Sequence, residues 1–577
     1  MSLVDHRYRH TLAVSLFVVA TVWLVYSDGV SQVLILDSFN TVSSITTSSS
    51  YQLHRLWQDA LSEQSGILGR PLAVVSFGFQ KLIGFGRVED FKLVNVATHL
   101  FVFYLIFRLI SSIVMTSDAS QNPSLYLIIL LSCGIWSVAP LHVSTVLYTV
   151  QRMTILSSLF SLLCLMSWRR YALELSTSME HKSLSPLIVG TLCFCLAIFS
   201  KENAAALPAI LAILLLYDSR NVTMGREKLV SIGVGLLLVS AVFALAGCYF
   251  LWPSFASAYE TREFDVVSRL WYQMFAVTHY IKQFLLPDVS IMGVIQDDFK
   301  ARVDALSILA RISVVSLFST LVAVSLFLWR LETLRLSALG LSFMWLALIM
   351  ESSVIPLELY FEHRFYFPSI GLILVFVNVY ILLVEKLPSW LRTRAPLVLL
   401  VLFFANAFNT VRAVSPWAHP DLLAISAYRG HPESLRANAM MVDLHTRHNN
   451  YAEALQFSEA MSRLTPQETV FEKHLRDVSL ICRAQMGGYE LAGVHGPVTI
   501  RPDLFRSNKL AGLSAQYVRN NAPLLACNDF RDLLLSVMDY EFSCGSEVLF
   551  KKGVYMVLQE FMTQEAKRQV AQKIARC

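Results

Sequence analysis

Long apolar runs separated by short polar stretches fill the first 412 positions of the chain, and mixed amphipathic segments follow them. The runs lie near 11–26, 93–114, 124–140, 153–168, 186–200, 203–217, 229–251, 305–329, 336–354, 369–385 and 396–412. Each predicts a helix able to cross about 30 Å of hydrocarbon, which makes eleven spans. The pair around Ser200-Lys201-Glu202-Asn203 is short and predicts a tight hairpin with a polar tip. A twelfth stretch, 270–286, holds His279, Lys282 and Gln283 and is placed at the interface or as a re-entrant segment. Between the first two spans, Leu53, Leu56, Trp57, Ala60 and Leu61 recur at helical spacing opposite His54, Arg55, Gln58, Asp59 and Glu63. That is the pattern of a helix lying in an interface.

Composition agrees with the pattern. The chain is 55% apolar and only 15% charged, with a mean hydropathy of +0.53, whereas a soluble domain carries about 25% charge. The expected fold class is all-α: a polytopic helical membrane protein with a C-terminal helical domain. A net charge of +5 over 577 residues is too small to point to nucleic acid. The first run follows His6, Arg7, Arg9 and His10 and lacks a small-x-small cleavage pattern, so it is expected to be retained.

Basic residues favour cytoplasmic loops. With the N-terminus inside, eleven spans place Arg169-Arg170, then Arg220, Arg226 and Lys228, then Arg330 and Arg335, then Lys386, Arg392 and Arg394 in the cytoplasm. The 30–90 loop and the tail, 413–577, then lie outside. In the tail, Pro432 and Pro466 are 34 residues apart and bracket two amphipathic helices, with Ala454 twelve residues before the second Pro. This matches the spacing of a tetratricopeptide repeat, although an irregular helical domain with one repeat-like hairpin fits as well. Of the four tail cysteines, Cys482, Cys527, Cys544 and Cys577, the expected disulfide joins Cys527 to Cys544.

Ionisable groups beside membrane spans are costly and therefore informative. By this topology they gather on the outer side: Asp37, Arg70, His142, Gln151-Arg152, Lys201-Glu202, Arg269, Lys282, Asp297-Asp298, and Glu362-His363-Arg364 with Tyr366. Basic groups at that surface suit an anionic ligand, and an Arg beside a carboxylate suits bidentate phosphate contact. Asp37, just past the first span, has the position of a general base, although spacing alone favours an ordinary loop aspartate. Asp297-Asp298 are weak candidates for a divalent cation, and no other metal spacing is present. No phosphate-binding Gly-rich loop occurs, so no nucleotide is expected.

Four motifs together resemble the bacterial multi-spanning glycosyltransferases of the GT-C class, related to transmembrane O-mannosyltransferases with tetratricopeptide repeats. They are Leu36-Asp37-Ser38-Phe39-Asn40 with Arg70-Pro71-Leu72; Pro140-Leu141-His142 with Tyr148-Thr149-Val150-Gln151-Arg152-Met153; Ser200-Lys201-Glu202-Asn203; and Glu362-His363-Arg364-x-Tyr366-x-Pro368-Ser369-x-Gly371. The resemblance implies a GT-C-like transmembrane catalytic domain over 1–412 and a periplasmic repeat-like domain over 413–577 of a bacterial inner-membrane protein. It implies a sugar donor carried on a polyprenyl phosphate and a hydroxyl acceptor on a protein or glycan, with inversion at the anomeric carbon. Asp37 would be the base. Arg70, Arg152, Lys201, Arg269, Lys282, Arg364 and Tyr366 would hold the lipid phosphate or donor. His142, Gln151, Glu202, Glu362 and His363 would orient donor or acceptor. The chain departs from the group in having Ser38 where a second acid often stands. An oligosaccharide ligase or polymerase, a transporter of lipid-linked precursors, and a non-catalytic assembly factor are the competing readings.

Overall fold

The computed structural model describes residues 2–48, 51–63, 69–115, 123–176, 183–222, 225–260, 262–392, 394–464 and 470–488, with positions 524, 527 and 530. Among these residues the chain is helical throughout, with no strand. Contacts divide it into two units, 1–423 and 424–577.

In the first unit every predicted run is a helix. The first is α1 (Ser2–Ser27). The 30–90 loop follows with three helices, α2 (Asp37–Thr47), α3 (Leu53–Ser62) and α4 (Pro71–Leu82). Leu56 and Ala60 of α3 turn inward, while Leu53, Trp57 and Leu61 stay exposed, so the single expected apolar face splits in two. The inner half faces a small core of Val42, Ile45, Val74, Phe77 and Phe91. Gly69 is required there by its left-handed φ of +64°, and a Cβ would meet the Glu63 carbonyl oxygen at 2.6 Å.

Beyond this loop come α5 (Val88–Val114), α6 (Pro123–Ser137), α7 (Val143–Leu147), α8 (Arg152–Ser176), α9 (Ser185–Ser200), α10 (Leu207–Asp218) and α11 (Arg226–Tyr259). α6 and α7 form a pair bent by 50°. α9 packs along α8, whereas α10 turns away onto α11 and α15 (Arg335–Leu348). The expected tight hairpin is thus an open corner, with Lys201 extended at its apex. The 270–286 stretch belongs to one continuous helix, α12 (Val266–Leu285), which buries Arg269, Gln273 and Gln283 and leaves Lys282 exposed. α13 (Phe299–Asp304) and α14 (Ile308–Phe327) lead to α15, and α16 (Ser369–Glu385), α17 (Ser389–Arg392) and α18 (Pro396–Val414) complete the bundle. α15 and α16 cross at Gly340 and Gly371, where a Cβ on either would strike the other's carbonyl oxygen.

Among the described residues five helices are long and apolar enough to cross a membrane, or six if the bent pair counts as one span. Three further apolar helices, at Leu12–Ser27, Ser185–Ser200 and Ser369–Glu385, are shorter. α15, expected to run to 354, ends at Leu348. Beyond it an irregular stretch brings a buried carboxylate, Glu351, into the bundle.

α19 (Pro420–Gly430) bridges the boundary of the two units. In the second unit α20 (Leu435–Arg447) and α21 (Tyr451–Leu464) form the expected helix pair, with Ala454 fully buried between them and α22 (Val470–Met486) packed against α21. Pro466 lies outside the described residues. Cys527 is bonded to Cys482, not to Cys544 as expected. α22 carries Cys482 into the core, and its Cα stands 5.7 Å from that of Cys527, within disulfide reach. Cys544 and Cys577 lie outside the described residues.

Candidate functional site

One short segment, Tyr148–Thr154, contains Gln151 and Arg152 and touches three further candidate residues, Asp37, Arg70 and Lys201. The Tyr148 hydroxyl accepts the backbone N–H of Asp37 at 3.0 Å, and the Val150 N–H donates to the Ser38 hydroxyl at 3.3 Å. Met153 Sδ lies 2.7 Å from Arg70 Nη1, and Thr154 Oγ1 receives Lys201 Nζ at 3.4 Å. Residues 37, 70 and 201, far apart in sequence, are therefore gathered along one spine.

Asp37 is the first residue of α2 and is exposed. Leu36 before it adopts φ 44°, ψ −127°, a strained conformation for a branched side chain that costs on the order of 1–3 kcal/mol and is found where the fold imposes a functional geometry. The turn at Leu36 sends the chain into α2 and presents the carboxylate at a helix N-terminus, which favours negative charge.

The basic residues fall into two groups by what remains for a ligand. Arg269, on α12, donates to the carbonyl oxygens of Ser353 (2.9 Å), Glu351 (2.8 Å) and Leu357, all within the irregular 349–361 stretch. Gln273 adds a bond to the Leu359 carbonyl at 2.8 Å. Arg152 donates to Asn95 Oδ1 (2.8 Å), the Phe91 carbonyl (2.7 Å) and the Ser76 hydroxyl (3.4 Å). These two guanidiniums are committed to the protein. Lys201 and Arg364 share Glu351, one on each carboxylate oxygen, at 3.0 and 2.9 Å. Arg70 is 3.5 Å from Glu202, and its Nε has no hydrogen-bond partner. It is one-fifth exposed at 20%, against 6% for Arg364. Arg70, Lys201 and Arg364 thus stand as three cations against the two carboxylates Glu202 and Glu351, an excess of one.

His363 lies beside this group and stacks on Phe361 at 5.1 Å. Burial pushes its imidazole well below the ordinary value, and the fields of Lys201, Arg364 and Arg70 lower it further. It is held neutral, able to donate one hydrogen bond and accept another. Burial likewise lowers the Lys201 ammonium, which Glu351 partly offsets. Glu362 points the other way, accepting the Gly293 N–H at 2.8 Å, and burial pushes its carboxyl up to about 8.

His142 and Tyr366 belong to a separate buried aromatic cluster. His99 Nδ1 is 2.7 Å from the Tyr366 hydroxyl and Nε2 is 2.9 Å from the Ser137 carbonyl, and Trp136 Nε1 donates to Ser369 at 2.8 Å. The His142 ring lies tilted 4.7 Å from Trp136 and edge-on 4.9 Å from Tyr366. Gln151 accepts from Thr154 at 2.8 Å. Lys282 is exposed on α12 and acts on Asp288. Asp298 is ion-paired with Arg302 at 3.3 Å, and no cluster of three metal-ligating side chains occurs among the described residues.

Four residues that sequence reading passed over belong to this architecture. Glu351 is the single acid of the run near 336–354 and anchors two cations. Asn95 and His99, with Lys92, recur at i, i+3 and i+7 on α5, and all are fully buried. A polar stripe at helical spacing within an apolar run was the available signal. No family model, curated protein or solved structure matches the chain.

Proposed function

We propose that the protein is a membrane glycosyltransferase that moves a sugar from a polyprenyl-phosphate donor to a hydroxyl acceptor at the outer face of a bacterial inner membrane. The observation that carries this reading is the spine at Tyr148–Thr154, which joins an exposed carboxylate, Asp37, to a cluster in which cations exceed carboxylates. Asp37 takes the proton of the acceptor hydroxyl as its oxygen attacks the anomeric carbon. The bond from that carbon to the phosphate oxygen breaks, and the electron pair leaves with the lipid phosphate, inverting the centre. Arg70, with unspent donors, makes the direct phosphate contact, while Lys201 and Arg364 supply preorganised charge to the departing oxygen. His363 offers a neutral hydrogen-bonding group beside them. The eleven-span topology and a repeat-like acceptor-binding tail complete the proposal, with the N-terminus cytoplasmic and the second unit periplasmic.

The test is transfer of label from polyprenyl-phosphate sugars into protein and glycan fractions of membranes carrying wild type or Asp37→Asn. A general base contributes about 100- to 10,000-fold, so Asp37→Asn is expected to lose labelling by that factor. Equal labelling would remove Asp37 from the reaction.

A further inference from the structure

We infer that Arg152 is a positioning residue, which locks the Tyr148–Thr154 spine against α4 and α5 and so fixes Asp37 and Arg70 in one frame. The inference rests on the transferase reading for its meaning in catalysis, but its geometry stands apart from it.

Arg152 is only 1% exposed and has no carboxylate within ion-pair distance among the described residues. A buried cation without a counter-ion is costly, and an apolar side chain of similar size would fill the space at less expense. What an apolar residue cannot do is fork. Nε, Nη1 and Nη2 reach Asn95, Ser76 and the Phe91 carbonyl, on two different helices. Cζ of the guanidinium lies 4.1 Å from the centre of the Phe77 ring and 5.4 Å from that of Phe91, cation–π contacts that add to the hold of the three hydrogen bonds.

Asn95 extends the brace. Its amide nitrogen donates to the carbonyls of Val146 and Thr149, both at 3.3 Å, while its oxygen accepts from Arg152. One side-chain amide therefore grips the segment at two backbone points, and Arg152 holds that amide in the required orientation. The segment leaves α7 at Tyr148, makes one 3-10 turn over Thr149–Gln151 and enters the first turn of α8, so the brace acts where two helices meet. Ser76 and Phe77 lie on α4, whose N-terminus carries Arg70. The same guanidinium thus ties Arg70's helix to the backbone that holds Asp37 and Ser38.

The experiment uses the full-length protein with Ser38→Cys and Val150→Cys, its other unpaired cysteines replaced by Ala, in three backgrounds: Arg152, Arg152→Met and Arg152→Lys. Oxidative cross-linking of the pair is followed by peptide mass, and folding by size-exclusion profile. The Ser38 hydroxyl and the Val150 nitrogen are 3.3 Å apart, so the two residues are in direct contact, and cross-linking in the Arg152 background sets the reference rate. The inference expects cross-linking to slow about tenfold in both Arg152 variants, because lysine keeps the charge without the fork. Turnover of labelled donor is expected to fall about 100-fold at unchanged KM, the effect of a small misplacement of reacting groups. Should both variants misfold, Asn95→Asp, which keeps the acceptor for Arg152 and loses the donors to Val146 and Thr149, is expected to slow cross-linking in the same way. Unchanged cross-linking in a folded variant, or full restoration by Arg152→Lys, overturns the inference. Wild type that cross-links normally yet transfers no sugar would contradict the transferase reading and leave the brace standing.

Discussion

The two ends of α8 treat charge in opposite ways. Arg169, about 25 Å along the helix from Arg152, meets Asp218 with two bonds of 2.7 and 2.8 Å and Ser112 with a third of 2.9 Å. That end is closed, with one cation, one carboxylate and the remaining donors spent on α5. At the Arg152 end, Lys201 and Arg364 divide a single carboxylate, Arg70 is only loosely paired, and the exposed Asp37 is tied through its backbone to Tyr148 of the same spine. Both ends are built from helices of the same apolar character, so hydropathy does not distinguish them. Saturation does: a structural arginine uses up its donors, and a ligand-binding one keeps some. The same contrast holds between whole helices. The apolar window of the α8 span is 78% buried and that of the α14 span 6%, which leaves α14 as an apolar outer wall and α8 as the axis around which the polar groups assemble.

Neutralising the acid at each end puts the contrast under the greatest load. Glu351→Gln and Asp218→Asn each strand buried cations and are expected to cost about 3–5 kcal/mol, measured as loss of unfolding midpoint in detergent. The ends should then part company: an isoprenyl phosphate is expected to restore part of the Glu351→Gln loss and none of the Asp218→Asn loss. Equal rescue at both ends would erase the distinction between open and closed charge.

A smaller effect is expected from Arg70→Ala. Because the Arg70–Glu202 pair is loose and partly exposed, its removal should change stability by less than about 1 kcal/mol. Loss of a charged hydrogen bond to phosphate should nonetheless weaken donor binding about 10- to 100-fold, read as KM in the transfer assay. A large stability loss with unchanged KM would move Arg70 into the structural group with Arg169.

A last effect, read as a change with pH, concerns Glu362, whose carboxyl is raised to about 8 by burial. Between its unfolded value near 4.5 and about 8 the folded state keeps a proton that the unfolded state gives up. Its contribution to stability is therefore fully present below about 4.5 and lost as pH rises through about 8. Glu362→Gln, which keeps the acceptor for the Gly293 N–H, is expected to flatten this alkaline decline in unfolding midpoint.

The helices were legible because each apolar run is long, and the α20–α21 pair because Ala454 marks a close helix crossing. The residues of the site were legible only as a set. Arg70, Lys201, Glu202, His363 and Arg364 lie together and Asp37 is held by the same spine through Tyr148, but the roles expected for Arg152 and Arg269 differ from their contacts, since spacing shows that an arginine is near a membrane edge and not which carbonyls consume its donors. Glu351 was hidden inside an apolar run whose end sequence placed six residues too late. The corner at Lys201 had the same origin: two short apolar runs suggest a hairpin, and the ion pair to Glu351 that accompanies the divergence of α9 and α10 is a long-range contact without a local signature.

The most direct measurement is a thermal-unfolding titration of the purified protein with a short isoprenyl phosphate and with the corresponding isoprenyl alcohol, in wild type and Arg70→Ala. The account predicts that the phosphate raises the wild-type midpoint, that the alcohol does not, and that Arg70→Ala needs about tenfold or more phosphate lipid for the same shift. Equal shifts from phosphate and alcohol, or from wild type and Arg70→Ala, would contradict the claim that the surplus positive charge at the Asp37 end exists to hold a lipid phosphate.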